Sequence, residues 1–183
     1  MQAVNLNVEY LTNPIGIDIR KPRLSWTLDS GIQQHAYQII AKDEYNHVLW
    51  DSGKVNSSQM HLIPWGGEEL KSRTVVTWSV MIWDENNSVT VSDPASFEMG
   101  LLEKIDWKAK WITGNYSPKK KHRYPVDCFR KTFVIDNKSI RKARIYMSAC
   151  GVYEGNLNGQ KIGRFVLAPG ITDYRKRVQY QTV

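Results

Sequence analysis

Val76-Thr77-Trp78-Ser79-Val80-Met81-Ile82 puts Val76, Trp78, Val80 and Ile82 on one face of an extended chain, a period of two. Asp84-Glu85-Asn86-Asn87 then breaks the run. The same alternation lies upstream, with Leu24, Trp26 and Leu28 set against Ser25 and Thr27. Tyr37, Ile39 and Ala41 alternate with Gln38 and Ile40, and Val48-Leu49-Trp50 runs into the turn Asp51-Ser52-Gly53. Four strands at this spacing, with turn signals between them, predict an all-β sandwich. Trp26 and Trp78 are its expected core anchors, because an indole on a regular inward face buries a large apolar area. A short strand is expected over Ala95–Met99, between the loop at Ser92-Asp93-Pro94 and Gly100.

Beyond Gly100 the pattern is looser. Residues 101–112 carry Trp107 and Trp111 one helical turn apart, and are read as a linker pinned by two indoles. Residues 114–127 are polar and basic, with Pro118 and Pro125, and predict an exposed loop. Residues 129–135 and 144–149 read as strands. In the second, Ile145 and Met147 share one face and Tyr146 and Ser148 the other. Asn158-Gly159 is a strong hairpin signal, with residues 160–163 as the returning strand. The expected organisation is a first β unit over residues 1–103, a linker and loop over 104–128, and a second β unit over 129–183. No repeat of 20–50 residues is evident.

The chain has 183 residues, 42% hydrophobic and 23% charged, an ordinary globular balance for one domain or two small ones. No apolar run approaches the roughly 20 residues of a membrane helix. The start, MQAVNLNVEYLT, lacks the basic flank and apolar stretch of a signal peptide, so a soluble cytoplasmic protein is expected. Cys128 and Cys150 are too few for a disulfide framework or a four-ligand zinc site, and are read as reduced, semi-buried thiols. His35, His47, His61 and His122 are scattered without metal-ligand spacing. Phosphate-binding loops, dinucleotide fingerprints, HExxH and GxSxG are absent, so no metal and no cofactor is expected. Asn-x-Ser occurs at Asn56, Asn86, Asn115 and Asn137, and is taken as chance without a secretion signal.

The charge is divided unevenly. Residues 1–100 hold 7 Lys/Arg against 12 Asp/Glu, a net of −5, and residues 101–183 hold 18 against 6, a net of +12. The basic half contains Lys119-Lys120-Lys121-His122-Arg123, Arg141-Lys142-Ala143-Arg144 and Arg175-Lys176-Arg177. Such clusters suit a nucleic-acid backbone, a set of solvated loops, or a surface facing an acidic domain. Trp50, Trp65, Trp83 and Tyr153 lie off the clearest core stripe and are candidate platforms for stacking on a sugar. Glu154 and Asp173 are the carboxylates that a groove in the second unit would expose.

Several segments in fixed order carry a resemblance. They are Asn13-Pro14-Ile15-Gly16, Pro22-Arg23-Leu24-Ser25-Trp26, the run Gln34 to Ile39, Asp51-Ser52-Gly53-Lys54-Val55, Phe97-Glu98-Met99-Gly100-Leu101 and Trp107-Lys108-Ala109-Lys110-Trp111-Ile112. The second unit adds Gly151-Val152-Tyr153-Glu154, Leu157-Asn158-Gly159-Gln160-Lys161-Ile162-Gly163, Leu167-Ala168-Pro169-Gly170-Ile171-Thr172-Asp173-Tyr174 and Arg177-Val178-Gln179-Tyr180-Gln181-Thr182. The whole resembles the start of bacterial α-L-rhamnosidases. The resemblance implies a fibronectin-type-III-like β-sandwich over residues 1–103 and a partial, jelly-roll-like second sandwich after it. It also implies that hydrolysis of terminal α-L-rhamnosides, with inversion, belongs to an acidic pair on a later (α/α)6 barrel. No position here matches that pair, so no catalytic residue is assigned.

The chain is accordingly expected to be a truncated, inactive N-terminal accessory region, partnered by a downstream catalytic domain and through it by a rhamnose-containing glycoside. Residues 1–103 are expected to fold alone. Residues 106–183, with uncovered strands, are expected to self-associate. A stand-alone carbohydrate-binding module is the alternative. A nucleic-acid binder is the least favoured reading, set apart by an affinity that falls steeply with salt.

Overall fold

The computed structural model describes residues 1–31, 33–117, 125–136 and 139–183. Nine strands form the first unit: β1 (Ala3–Val8), β2 (Ile15–Ile17), β3 (Arg23–Leu28), β4 (Gln34–Lys42), β5 (Val48–Asp51), β6 (Ile63–Pro64), β7 (Val75–Asp84), β8 (Val89–Val91) and β9 (Ala95–Met99). One sheet has the order β1-β3-β6. The other runs β2-β9-β7-β4-β5, with β8 paired to the far end of β7. Among the described strands of this unit, only β2 and β9 pair in parallel. Two sheets with this strand sequence make an immunoglobulin-like sandwich, and fibronectin type III modules share that architecture.

The alternation read from the sequence is the one that builds the core. Trp78 pairs across to Ala41 and Val80 to Ile39, so the inward sets of β4 and β7 coincide. Trp26, Trp78, Val76, Val80, Ile39 and Ile82 are all buried, at 1% exposure or less. Trp26 donates its indole N–H to Gln34 Oε1 at 2.9 Å, and the Gln34 amide donates to the carbonyls of Ser57 and Gln59. A buried amide with both ends satisfied costs little and fixes how the loop before β6 crosses the core. The register slips by one between β8 and β9, where Ser92-Asp93-Pro94 intervenes. Proline has no N–H for the ladder, and the Ser92 hydroxyl takes the Val80 N–H at 3.0 Å instead.

The second half has four short strands. β10 (Tyr146–Ser148) and β13 (Tyr180–Thr182) form an antiparallel ribbon, extended by backbone bonds between Ile145 and Val183. β11 (Asn156–Leu157) and β12 (Gln160–Lys161) form the hairpin expected at Asn158-Gly159, where both residues have positive φ, 50° and 81°.

Other expectations fail here. Residues 129–135 are not a strand: no described segment pairs with them, and Phe129, Phe133 and Val134 are 57%, 64% and 94% exposed. A strand needs a neighbour for its N–H and C=O groups, and alternation alone supplies none. The strand expected over 144–149 shortens to β10, and the one over 160–163 to β12. Of the two linker indoles, Trp107 packs against Tyr180 with ring centroids 5.7 Å apart, while Trp111 is 63% exposed. A single 3-10 turn at Lys104–Asp106 ends in extended dihedrals at Trp107, so helical spacing does not apply. Cys128 and Cys150 are free thiols, but exposed rather than semi-buried. The run 119–123 with His122, Pro118 and the Asn137 match lie outside the described residues. No described helix is long and apolar enough to cross a membrane.

Candidate functional site

The four aromatics proposed as sugar platforms do not converge. Trp65 is in the core at 4% exposure, its N–H donated to the Glu68 carbonyl, so no ring face is open. It is inward because its ring meets Phe97 at 5.9 Å and Trp50 at 5.1 Å, both edge-on. Trp50 pairs across to the core residue Ala41 and therefore leans inward. The backbone of Gly66-Gly67 lies close against its indole. Trp83 faces outward from the end of β7, with the Lys54 ammonium 4.5 Å above its ring. Tyr153 belongs to the second half, bridged by its backbone to Ala168, and burial pushes its hydroxyl pKa up.

The two carboxylates have separate basic partners. Glu154 pairs with Lys161 at 3.0 Å, and Asp173 with Arg175 at 3.0 Å. Hydrogen bonds from Lys161 and Asn156 hold Glu154 below its usual range, and bonds from Arg175 do the same for Asp173. A general acid at neutral pH needs the opposite shift. Among the described residues, no group of three His, Cys, Asp or Glu side chains is placed to hold a metal.

The feature that breaks the rules of a sandwich is the contact between the halves. Phe97 and Met99 point into the core from β9, so Glu98 between them points outward. An outward carboxylate on such a sheet belongs in water, yet Glu98 is 3% exposed. The basic cluster 141–144 covers it. Arg144 binds both Glu98 oxygens, with Nη2 at 2.9 Å and Nε at 3.1 and 3.2 Å, and Lys142 Nζ stands 3.4 Å away. Arg141 pairs with Glu44 at 3.1 Å, next to the turn after β4. Residues 141–144 thus cross the outer face of the sheet from β4 to β9. A shallow cleft of about 540 Å³ remains between them and the sheet, lined by Lys42, Thr77, Ser79 and Arg141 among others.

The ribbon completes the contact. The Leu101 N–H donates to the Tyr180 hydroxyl at 2.7 Å, and Tyr146 lies 6.2 Å from the Tyr180 ring with the Arg73 guanidinium 5.6 Å from its own. Burial pushes both tyrosine hydroxyl pKa values up, and for Tyr146 the Glu98 charge adds to it. Glu98, Tyr146 and Tyr180 were not singled out by sequence reasoning. The available signal was the opposite charge of the halves, which here is partly neutralised within one chain.

The model of the Rha78A-like N-terminal immunoglobulin domain matches residues 3–103, and that of the α-L-rhamnosidase N-terminal domain matches residues 138–183. An α-L-rhamnosidase of Alteromonas sp. (strain LOR) is 37% identical over 190 residues, covering 95% of this chain and 20% of that protein. The solved structure of an α-L-rhamnosidase from Dictyoglumus thermophilum matches with a TM-score of 0.84 and 37% identity, over 98% of this chain and 23% of that one. That of Aspergillus terreus matches with a TM-score of 0.82 and 28% identity, over 99% and 21%. The chain spans about a fifth of the length of the curated relatives it matches. With its sandwich matched from Ala3 to Glu103, more than half of its length, this chain belongs to the family of Rha78A-like N-terminal immunoglobulin domains.

Proposed function

We propose that this chain is the non-catalytic N-terminal region of an α-L-rhamnosidase, supporting and orienting a catalytic domain carried by the same polypeptide. The observation that carries this is the likeness along nearly the whole chain to α-L-rhamnosidases of which it makes up only about a fifth. The seating of the second half on the sandwich through Glu98 and Arg144 suits an orienting role. The paired, low-pKa Glu154 and Asp173 suit the absence of chemistry here. A stand-alone carbohydrate-binding module is less favoured, since Trp50 and Trp65 pack on each other and on the core.

The test is a chimera. Residues 1–183 replace the matching region of the Dictyoglumus thermophilum enzyme, and turnover of an aryl α-L-rhamnoside is expected to survive. The chain alone is expected to give none. Turnover by the chain alone that disappears in Glu154→Gln or Asp173→Asn overturns the reading. Val126, Val134 and Ile171 are 90%, 94% and 85% exposed, and open apolar surface of this kind is read as facing the rest of such a polypeptide. Presented by itself, that surface is expected to drive self-association. Sedimentation showing only monomer across a wide concentration range rejects this.

A further inference from the structure

We propose that Gly16, Glu98 and Gly100 form a docking socket on the sandwich, and that the β10–β13 ribbon with Arg144 is its fixed occupant, so that the two move as one body. The direction this would impose on the following polypeptide rests on the orienting role proposed above. The docking itself does not.

Three observations meet in the socket. The first is chemical. Glu98 is an outward side chain of β9 that is buried, with Arg144 and Lys142 paired to it. If the ribbon lifts without water replacing it fully, the carboxylate is left unpaired in a poorly solvated place, which is strongly unfavourable. The contact therefore favours fully docked over half-docked states. The second is steric. A Cβ at Gly16 would lie 2.7 Å from Thr182 Oγ1, and one at Gly100 would overlap the Tyr180 hydroxyl. Gly16 has φ of +84° and needs to be glycine for its backbone alone. Gly100 is not among the positive-φ glycines; its missing side chain admits the Tyr180 hydroxyl and also the Gly16 carbonyl oxygen, 3.1 Å from where a Cβ would sit. The third is directional. The Tyr180 hydroxyl, seated over Gly100, accepts the N–H of the next residue, Leu101, which sets the ribbon's position along the edge.

Together these change the default expectation. Neighbouring domains joined by a modest, polar contact normally move relative to one another. Here one buried carboxylate and two side-chain-free positions fit one occupant, the chain's own residues 144–146 and 180–182. Buried pairs are screened little by salt, so the docking is expected to persist in 1 M NaCl, unlike the exposed pairs of the same half.

The full chain tests this with spin labels on Cys150 and on Val89→Cys, in a Cys128→Ser background, diluted into unlabelled chain. Both label sites are exposed, one on each half. The parent is expected to give one narrow distance distribution, unchanged at 1 M NaCl. Gly100→Ala is expected to broaden it, with loss of hydrogen-exchange protection at the Leu101 amide. Adding Tyr180→Phe removes the overlapping oxygen but also the acceptor of the Leu101 N–H, so the double variant is expected to narrow the distribution part of the way back. Resonances of the Trp26 and Trp78 indoles report whether the sandwich is intact. A narrow distribution in Gly100→Ala overturns the proposal. So does a double variant no narrower than Gly100→Ala. If Gly100→Ala unfolds the sandwich, recovery of the fold with a narrowed distance distribution in the double variant supports the socket, and failure to recover overturns it. The readout involves no turnover, so a failed chimera leaves it untouched.

Discussion

The two halves of this chain reach order by different means. Residues 3–103 close a core of their own, in which Trp26, Trp78, Phe97 and Ile39 lose essentially all contact with water. Among the described residues after 103, Ala168 and Pro169 are the only buried apolar side chains, and large ones such as Val134 and Ile171 stand open. What that half has instead is charge and fit against its neighbour: Arg144 and Lys142 on Glu98, and Tyr180 over Gly100. Apolar burial is non-directional and sums over a whole sheet. A buried ion pair acts at one point and only in one geometry. The first half should therefore survive the loss of any surface contact, whereas the position of the second depends on a few.

The sharpest way to break the comparison is at the core of the first half. Trp78→Ala removes an indole buried to 1% exposure and should cost about 3–5 kcal/mol. Chemical denaturation followed by circular dichroism measures it. The ribbon should lose its order together with the sandwich, because its seat goes too. A cost near zero would mean that the core is not where the stability lies.

Next comes the pair that joins the halves. Arg144→Ala leaves the buried Glu98 with the Lys142 ammonium at 3.4 Å as its remaining charged partner and should weaken docking by about 2–3 kcal/mol, at or below the lower bound for breaking a buried pair because Lys142 stays and Arg144 is partly exposed. Hydrogen exchange should show β10 and β13 losing protection while β4 and β7 keep theirs. Arg175→Ala is the matched control. Its partner is Asp173 at a similar distance, 3.0 Å, but both are open to water, and no measurable change is expected in either half. Equal effects from the two substitutions would mean that burial of Glu98 is irrelevant.

The smallest effect concerns acid. Side-chain hydrogen bonds from Arg23 hold the Glu9 carboxyl below its usual 4.5, against the opposing effect of burial. A folded-state pKa below the unfolded one means that the stabilisation is complete above about pH 4.5. It is lost as the pH falls through the lower, folded value. Glu9→Gln should therefore flatten the acid limb of the first half's stability curve and leave ribbon docking at pH 7 unchanged. Thermal melts between pH 3 and 7 measure this, and an acid limb identical to that of the parent rejects it.

Much of the fold was legible because alternation and burial have the same period in a strand. Val76, Trp78, Val80 and Ile82 are apolar at every second position, and a sheet buries every second residue, so the pattern names both the element and its inward face. The Asn158-Gly159 hairpin was legible for a local reason, the tolerance of those residues for positive φ. The strand expected over residues 129–135 shows the limit. Its alternation is real, but pairing is a property of two segments, and no described segment lies beside it.

The aromatics mark the same boundary. In the sequence Trp65 lies off the clearest core stripe. The packing of Trp50, Trp65 and Phe97 places it inside. Alternation determined that the first hundred residues form a sandwich and that Trp26 and Trp78 anchor its core, and the count of charged residues determined that its charge is opposite to that of the remainder. Only the tertiary structure decided that Glu98 is buried and that the basic cluster 141–144 answers it across 46 residues of sequence. Local patterns record what a residue needs from its own strand. A carboxylate between Phe97 and Met99 reads as solvent-facing until another part of the chain lies over it, and that is settled by where the chain returns in space.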